Sequence, residues 1–225
     1  IAAASNLQFV MEELTTEFTA QTGVKCLATF NSSGKHTAQI VSGAEYDVFM
    51  SADMKYAEYL LANKKTLDSP KVYAFGSLVL WTLKDGITPN MEILNNPLIK
   101  HIAIPNPKTA PYGVAALEVL NKFQLFDSIK HKLVYGESIM QTNQFIYSGA
   151  AEIGFTAQSI VQSDKMNDVG TWVKIKTEDY QPLAQGMVLL KNESNRSSEA
   201  QKFEEFIFSN KGKEILNKFG FTVAE

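Results

Sequence analysis

The chain has 225 residues, 45% of them hydrophobic and 20% charged, which is typical of a globular protein with a substantial core. With a formal net charge of −3 and no clustered lysines and arginines, it is not expected to bind nucleic acid. No apolar run approaches the roughly 20 residues of a membrane-spanning helix, and a single cysteine excludes an internal disulfide.

Helix and strand patterns alternate in the first third of the chain. After Ser5 the apolar residues from Leu7 to Phe18 follow helical spacing, and Gly23 ends this predicted helix. Further elements are predicted, in order, as a strand at 24–30, a helix at 33–41, a strand at 46–51, a helix at 54–62 and a β-rich stretch at 72–83.

The same alternation continues through the rest of the chain. Pro111 lies where the first turn of a helix accepts proline, and Ser138 begins another helix that ends near Gly149. Alternating strands and helices favour a layered α/β architecture. The remaining predicted elements are strands at 101–104, 153–156 and 188–190, then amphipathic helices around 203–208 and 213–219.

The segments between these predicted elements constrain the domain organisation. No internal repeat and no linker rich in Gly, Pro and Ser occurs, so a two-lobed molecule requires strands that cross between the lobes. The β-rich stretches at 72–83 and 185–190 are the candidates, and two crossings make the second lobe an insertion in the first. A single continuous domain is the alternative that the pattern leaves open.

Small polar residues stand where hydrophobic runs pass into predicted helices. Residues 2–6 read Ala-Ala-Ala-Ser-Asn, and residues 30–34 read Phe-Asn-Ser-Ser-Gly. A helix start presents unpaired N–H groups and the positive end of the helix dipole, and hydroxyl groups add donors without charge. Two further starts, at 111–113 and 138–139, favour an anion site built from several helix ends. Ordinary helix capping is the simpler explanation of each serine alone.

Other chemistries fit the sequence less well. Residues 33–36 resemble part of a phosphate loop, but Thr29 replaces the leading glycine and His36 the hydroxyl residue that holds magnesium. The three histidines are dispersed, so no metal site is expected. There is no Gly-x-Ser-x-Gly nucleophile elbow, and Asp53 is explained by helix capping about as well as by catalysis. We therefore expect a binding protein rather than an enzyme.

Seven short segments along the chain match one known family in their order and spacing. They are residues 2–6, 30–34, 44–53 (Ala-Glu-Tyr-Asp-Val-Phe-Met-Ser-Ala-Asp), 105–107 (Pro-Asn-Pro), 110–113 (Ala-Pro-Tyr-Gly), 148–155 (Ser-Gly-Ala-Ala-Glu-Ile-Gly-Phe) and 219–221 (Phe-Gly-Phe). Each segment is weakly specific by itself, but together they cover nearly the whole length. On these segments, the chain resembles the molybdate-binding proteins of bacterial ABC transporters from end to end.

The resemblance implies a two-lobed periplasmic-binding-protein fold of type II. Each lobe is expected to be a mostly parallel sheet flanked by helices, with two crossing strands between the lobes. Residues 1–77 and 186–225 would form lobe I, and residues 78–185 the inserted lobe II. A monomer in the periplasm is expected, with either a leader removed or the sequence trimmed before Ile1, and a lipid-anchored extracytoplasmic form stays open.

The resemblance also implies the ligand-binding residues. Ser5 and Ser33 would supply hydroxyl and backbone N–H groups from one lobe, and Asn6 a backbone N–H, while Tyr112 and Ile139 would each give a backbone N–H from the other lobe. No protein cofactor and no direct metal ligand is expected. The oxygens of the oxyanion would be contacted by Ser5, Ser33, Tyr112 and Ile139, and none of these residues would coordinate its metal directly.

Two features depart from the family pattern beside this implied site. Many members place a tyrosine hydroxyl on the anion just after the strand that ends here at Thr156, whereas this chain has Ala157. Lys35 and His36 are also less usual, and the sequence leaves open whether they face the anion.

The implied function is high-affinity binding of molybdate or tungstate and delivery to the membrane permease of an ABC importer. The alternatives are another oxyanion such as sulfate, the sensing domain of a transcription regulator, or an enzyme on the same fold. An organic acid would usually call for an arginine clamp, and the chain's one arginine is Arg196, in a polar loop.

Overall fold

The computed structural model describes residues 1–191 and 197–223, which form two five-stranded sheets flanked by helices. The strands are β1 (Ala2–Ala4), β2 (Thr29–Asn31), β3 (Val48–Met50), β4 (Lys71–Gly76), β5 (Leu78–Thr82), β6 (Ile102–Pro105), β7 (Leu133–Gly136), β8 (Ile153–Ala157), β9 (Thr171–Lys174) and β10 (Leu183–Leu189). The helices are α1 (Val10–Thr22), α2 (Ser33–Val41), α3 (Met54–Ala62), α4 (Pro111–Lys122), α5 (Phe126–Ile129), α6 (Ile139–Tyr147), α7 (Gln158–Val161), α8 (Ser197–Phe208) and α9 (Asn210–Lys218).

Each sheet is mixed. The first has the order β2-β1-β3-β10-β4, and the second β7-β6-β8-β5-β9. In each sheet two strand pairs are parallel and two antiparallel, because helix crossovers join only part of the strands. The predicted two-lobed α/β fold is confirmed, but its sheets are less parallel than expected. We call the first sheet with α1–α3, α8 and α9 the first lobe, and the second sheet with α4–α7 the second lobe.

The chain passes twice between the sheets. Only Ser77 separates β4 of the first sheet from β5 of the second, within the stretch predicted to cross. The return runs through residues 175–182, before the predicted segment at 185–190, which lies in the first sheet. Since β10 pairs with β4 from Leu183 onward, residues 183–185 belong to the first sheet rather than to the predicted insertion. The exact lobe boundaries otherwise stay a prediction.

The predicted strand at 24–30 is wrong over most of its length. Only Thr29–Asn31 forms β2, because its single partner in the sheet, β1, is three residues long. The hydrophobic pattern of a segment carries no information about the length of a partner strand.

Separate hydrophobic cores stabilise the two lobes. Phe18 of α1 packs against Phe203 of α8 with ring centroids 5.2 Å apart and planes at 87°, an edge-to-face contact within the first lobe. In the second lobe α4 packs on β5, β6 and β8 around the fully buried Leu80, Ile104 and Phe155. These two packed bodies are joined by short connections.

Candidate functional site

Four helix starts follow the carboxyl ends of parallel strands. A single 3₁₀ turn, Ser5–Leu7, follows β1, and α2 follows β2 in the first lobe. In the second lobe α4 follows β6 after a short loop, and α6 follows β7. Carboxyl ends of parallel strands are where α/β proteins bind ligands, because the helices that follow them begin there.

Direct contacts join the starts of three of these helices. The Gly34 N–H of α2 donates to the Thr109 carbonyl before α4, at 2.9 Å. Lys35 Nζ of α2 lies 3.1 Å from Glu137 Oε2 before α6, and Asn106 Nδ2 donates to Glu137 Oε1 at 3.2 Å. The starts of α2, α4 and α6 therefore adjoin each other across the two lobes.

Asn6 connects the Ser5–Leu7 turn to the same place. Its carbonyl accepts a hydrogen bond from Ser159 Oγ of α7 at 2.7 Å, and its side-chain Nδ2 donates to Gln185 Oε1 of β10 at 2.9 Å. The turn also packs against α6. The Ser5–Leu7 turn and the starts of α2, α4 and α6 thus adjoin one another at a single junction between the lobes.

Four backbone donors at this junction have no acceptor within the described chain. They are the N–H groups of Asn6, Ser33, Tyr112 and Ile139, whose residues are at most 4% exposed. An N–H in the first turn of a helix has no carbonyl of its own helix to bind. Since buried backbone donors are almost always paired, this set indicates a ligand that accepts hydrogen bonds.

Serine hydroxyls extend this set of donors. Ser5 Oγ and Ser32 Oγ are buried and have no hydrogen-bond partner in the part of the chain that the structure describes. Ser33 Oγ accepts a hydrogen bond from the Ala52 N–H at 2.9 Å, which leaves its own proton free to donate. The Ala52 contact therefore turns Ser33 into an oriented donor.

Helix capping does not explain these serines. Asp53 Oδ1 caps α3 by accepting from the Tyr56 N–H at 3.2 Å, and Ser138 Oγ caps α6 by accepting from the Gln141 N–H at 3.3 Å. Ser32 occupies the same N-cap position of α2 but makes no such bond. Capping thus explains Asp53 and Ser138, while Ser32 needs another partner.

The charged and titratable neighbours do not enter the set of donors. Lys35 pairs with Glu137 at the surface, with 40% and 49% of their side chains exposed. His36 lies in the first lobe, with Nε2 3.2 Å from the Ala3 carbonyl and Nδ1 3.2 Å from Gln39 Oε1. Burial lowers the pKa of His36, so its imidazole is neutral. The site therefore relies on uncharged donors and helix dipoles.

The buried imidazole predicts a loss of stability in acid. Because the pKa of His36 is lower in the folded than in the unfolded chain, the unfolded state binds more protons as the pH falls below about 6.5. We expect the free energy of unfolding to decrease below that pH, and H36Q to reduce this decrease. Urea titrations between about pH 5 and 7.5 measure it, with H131Q at an exposed position as control. An unchanged slope in H36Q would contradict the assignment.

A comparison with known proteins identifies the family. The profile of the bacterial extracellular solute-binding proteins matches residues 1–222. The chain belongs to this family. The molybdate-binding protein ModA of Azotobacter vinelandii is 35% identical over 223 residues, 98% of this chain and 88% of the relative. ModA of Rhodobacter capsulatus is 32% identical over 221 residues, covering 98% and 86%.

A solved structure shows the same fold. The periplasmic molybdate-binding protein of Azotobacter vinelandii, 33% identical, superposes with a TM-score of 0.94 over 100% of this chain and 98% of that one. The predicted fold and the prediction of a solute-binding protein rather than an enzyme are thereby confirmed. Within the described residues, no helix is long and apolar enough to cross a membrane, and no group of His, Cys, Asp and Glu is arranged to hold a metal ion.

The Tyr112 side chain of this solute-binding protein is an unforeseen feature of the site. Its ring is buried, burial raises the pKa of the phenol, and its Oη lies beside the Asn6 side chain. A Cβ on Gly76 would lie 2.2 Å from this Oη, so the tyrosine packs against the end of β4. A glycine inside a predicted strand is the sequence signal for such a close approach.

Ser32, Thr109 and Gln185 are further residues at the junction that the sequence prediction omitted. Ser32 and Thr109 carry buried hydroxyls with no partner in the described ranges, and Gln185 is fully buried. A polar residue inside an apolar strand could have drawn attention to Gln185. Ala157 is fully buried at the end of β8, where it adds no hydroxyl. Arg196 lies outside the residues that the structure describes.

Proposed function

We propose that this solute-binding protein binds a tetrahedral metal oxyanion, molybdate or tungstate, between its two lobes. Ser5, Asn6 and Ser33 would hold the anion from the first lobe, and Tyr112 and Ile139 from the second. The protein would then deliver its ligand to the membrane permease of an ABC importer. The names of the 35% and 32% identical relatives support the ligand class.

The observation that carries this proposal is a buried junction at which four backbone N–H groups and the hydroxyls of Ser5 and Ser32 have no partner among the described residues. A fully deprotonated dianion accepts hydrogen bonds at every oxygen, so such a set of donors matches it. A protonated phosphate would need an acceptor for its own O–H group. The carboxylate of Glu137 is half-exposed and already bound by Lys35 and Asn106, so it is not available as that acceptor.

The strength of binding follows from the number of donors. Hydrogen bonds to charged groups contribute roughly 1.5–3 kcal/mol each, and five to seven of them would total on the order of 8–20 kcal/mol before association costs. Submicromolar affinity is therefore expected. Helix dipoles supply the partial positive charge, so no full counter-charge is required.

The contribution of both lobes implies that binding favours the closed arrangement. The Gly34–Thr109 hydrogen bond and the Lys35–Glu137 ion pair join the lobes beside the donors. An anion held from both sides stabilises the arrangement in which these contacts form, which is the hinge closure of binding proteins. We propose that this closed form docks on the permease.

We propose an extracytoplasmic location and a monomeric state. The family description names extracellular proteins, and the similar solved structure is named as periplasmic. Both halves of the proposed site come from one chain, so a second copy is not required to complete it.

A thermal-shift panel tests the proposed ligand. Molybdate, tungstate, sulfate, phosphate and chromate are added separately to the purified protein, because a ligand that binds only the folded state raises the melting temperature. We expect the largest increases with molybdate and tungstate, confirmed by calorimetric dissociation constants. Sulfate carries the same charge and the same number of oxygens as molybdate. A larger increase in melting temperature with sulfate than with molybdate would therefore identify sulfate as the ligand instead. No shift with any of these ions would reject the oxyanion site.

A further inference from the structure

Gln185 is a fully buried polar residue in the interior strand β10 of the first sheet. The pairing between β10 and β4 shifts its register between Gln185 and Gly186, so the strand is irregular at this residue. Bulges of this kind redirect side chains and are frequent beside functional sites. The irregularity therefore draws attention to what the Gln185 carboxamide contacts.

Both ends of the carboxamide are hydrogen-bonded. Oε1 accepts from Asn6 Nδ2 at 2.9 Å, and Nε2 donates to the carbonyls of Ala52 at 3.1 Å and Leu183 at 3.0 Å. Tyr73 Oη lies 3.5 Å from Oε1, at the limit of a hydrogen bond. The side chain thus uses both donor hydrogens, and a hydrophobic residue of the same size would leave several buried polar groups unpaired.

These bonds lead to two of the five predicted ligand-binding residues, and a third lies next to the carboxamide. Asn6 is bound directly. Ala52, whose carbonyl is held by Gln185, uses its own N–H to orient Ser33 Oγ at 2.9 Å. Tyr112 is adjacent, because a Cβ on Gly76 would lie 2.2 Å from Tyr112 Oη and 2.7 Å from Gln185 Nε2. One side chain therefore adjoins donors from both lobes.

We propose that Gln185 is a positioning residue of the anion site, an inference that rests on the proposed function. It does not touch the ligand. Its carboxamide holds the turn at Asn6 and the loop at Ala52 at a fixed separation, so that the Asn6 N–H and the Ser33 hydroxyl converge on one oxyanion. Donors held in place in advance bind more tightly, because little reorganisation accompanies binding.

The first test is Gln185→Leu, which keeps most of the side-chain volume and removes every hydrogen bond. Thr82→Val is the matched control, since buried Thr82 Oγ1 donates to the Glu152 carbonyl at 2.6 Å and accepts from the Lys84 N–H at 3.0 Å, at the far end of β5. We expect both variants to lower the melting temperature. Only Q185L should raise the calorimetric dissociation constant for molybdate, by tenfold or more.

The second test, Gln185→Glu, has a readout that a purely structural role would not change. Burial raises the pKa of a carboxyl group, so the new side chain is protonated at low pH. Its carbonyl oxygen can then accept from Asn6 Nδ2, and its O–H can donate to one of the two carbonyls that Nε2 binds in the wild type. When ionised, it repels the bound dianion. We expect molybdate affinity near the wild-type value at roughly pH 5.5 and at least tenfold weaker at roughly pH 8.

The other titratable groups near this carboxyl would not produce such a change. Tyr73 of β4 and Tyr112 of α4 have pKa values that burial raises, so both stay neutral over this range. Burial also raises the pKa of Asp53 at the start of α3, but its Oδ1 is engaged by the Tyr56 N–H and it is present in the wild type as well. The wild-type protein therefore serves as the reference profile.

The outcomes separate this inference from the proposed function. If the wild type binds molybdate while Q185L binds it equally well, or if Thr82→Val weakens binding as much as Q185L, the positioning role is overturned and the site stands. A flat pH profile in Q185E also overturns it. If the wild type binds none of the oxyanions, the proposed function fails and this inference fails with it.

Discussion

Replacing Ser33 with aspartate is expected to abolish oxyanion binding while the protein stays folded. The new carboxylate would occupy the start of α2, beside the unpaired Ser33 N–H, where an acidic residue is compatible with the helix. It would repel the ligand, because two unit charges about 4 Å apart interact with about 4 kcal/mol near a protein surface. That energy corresponds to about a thousandfold increase in the dissociation constant.

Calorimetry with molybdate measures this loss, and the milder Ser33→Ala should cost about 1–3 kcal/mol through the hydroxyl alone. The matched control is Ser209→Asp, at the start of α9, where Ser209 Oγ caps the Gly212 N–H at 3.2 Å away from the site. Aspartate at that cap should leave molybdate affinity unchanged. Retained binding in S33D would show that Ser33 does not face the ligand.

Gly34→Ala is expected to weaken binding through the closed arrangement of the lobes. A Cβ at this position would lie 2.8 Å from Tyr56 Oη, 3.0 Å from Thr109 Cα and 3.0 Å from the Thr109 carbonyl oxygen. The Thr109 atoms belong to the other lobe, so the added methyl group would hold α2 and the loop before α4 apart. We expect at least a tenfold loss of molybdate affinity.

The thermal stability of G34A should not decrease together with its molybdate affinity. Alanine is a better helix former than glycine by roughly 0.5–1 kcal/mol, so the melting temperature without ligand should be unchanged or slightly higher. Small-angle scattering should show less compaction upon addition of molybdate than in the wild type. Ala38→Gly, on the exposed side of the same helix, is the control and should lower stability without changing affinity. Wild-type affinity in G34A would mean that this contact does not limit closure.

Local patterns predicted the helices better than the strands. Gly23 ends α1 in the left-handed conformation, with φ 74°, as its position after the apolar pattern predicts. The β-rich stretch at 72–83 is instead two strands in different sheets, divided at Ser77. The predicted elements also omitted β7 and β9. Strand pairing depends on distant partners, which a local pattern does not contain.

The sequence by itself predicted which groups would be available to the proposed ligand. Helix-start signals at Ser5, Ser33, Pro111 and Ser138, together with small hydroxyl residues and few nearby charges, predict uncharged donors for an anion. These properties depend on residues close together in the chain. They could therefore be identified without knowing how the chain folds.

Only the tertiary structure decided how those donors are arranged. The Asn6–Gln185 hydrogen bond joins residues 179 positions apart. The N–H that orients Ser33 Oγ belongs to Ala52, in the loop between β3 and α3. The tertiary structure also shows which serines cap a helix and which have a free hydroxyl. Ser138 caps α6, whereas Ser32 at the same position of α2 makes no capping hydrogen bond. Local sequence sets the chemistry of each group, but convergence depends on the packing of two lobes built from distant segments.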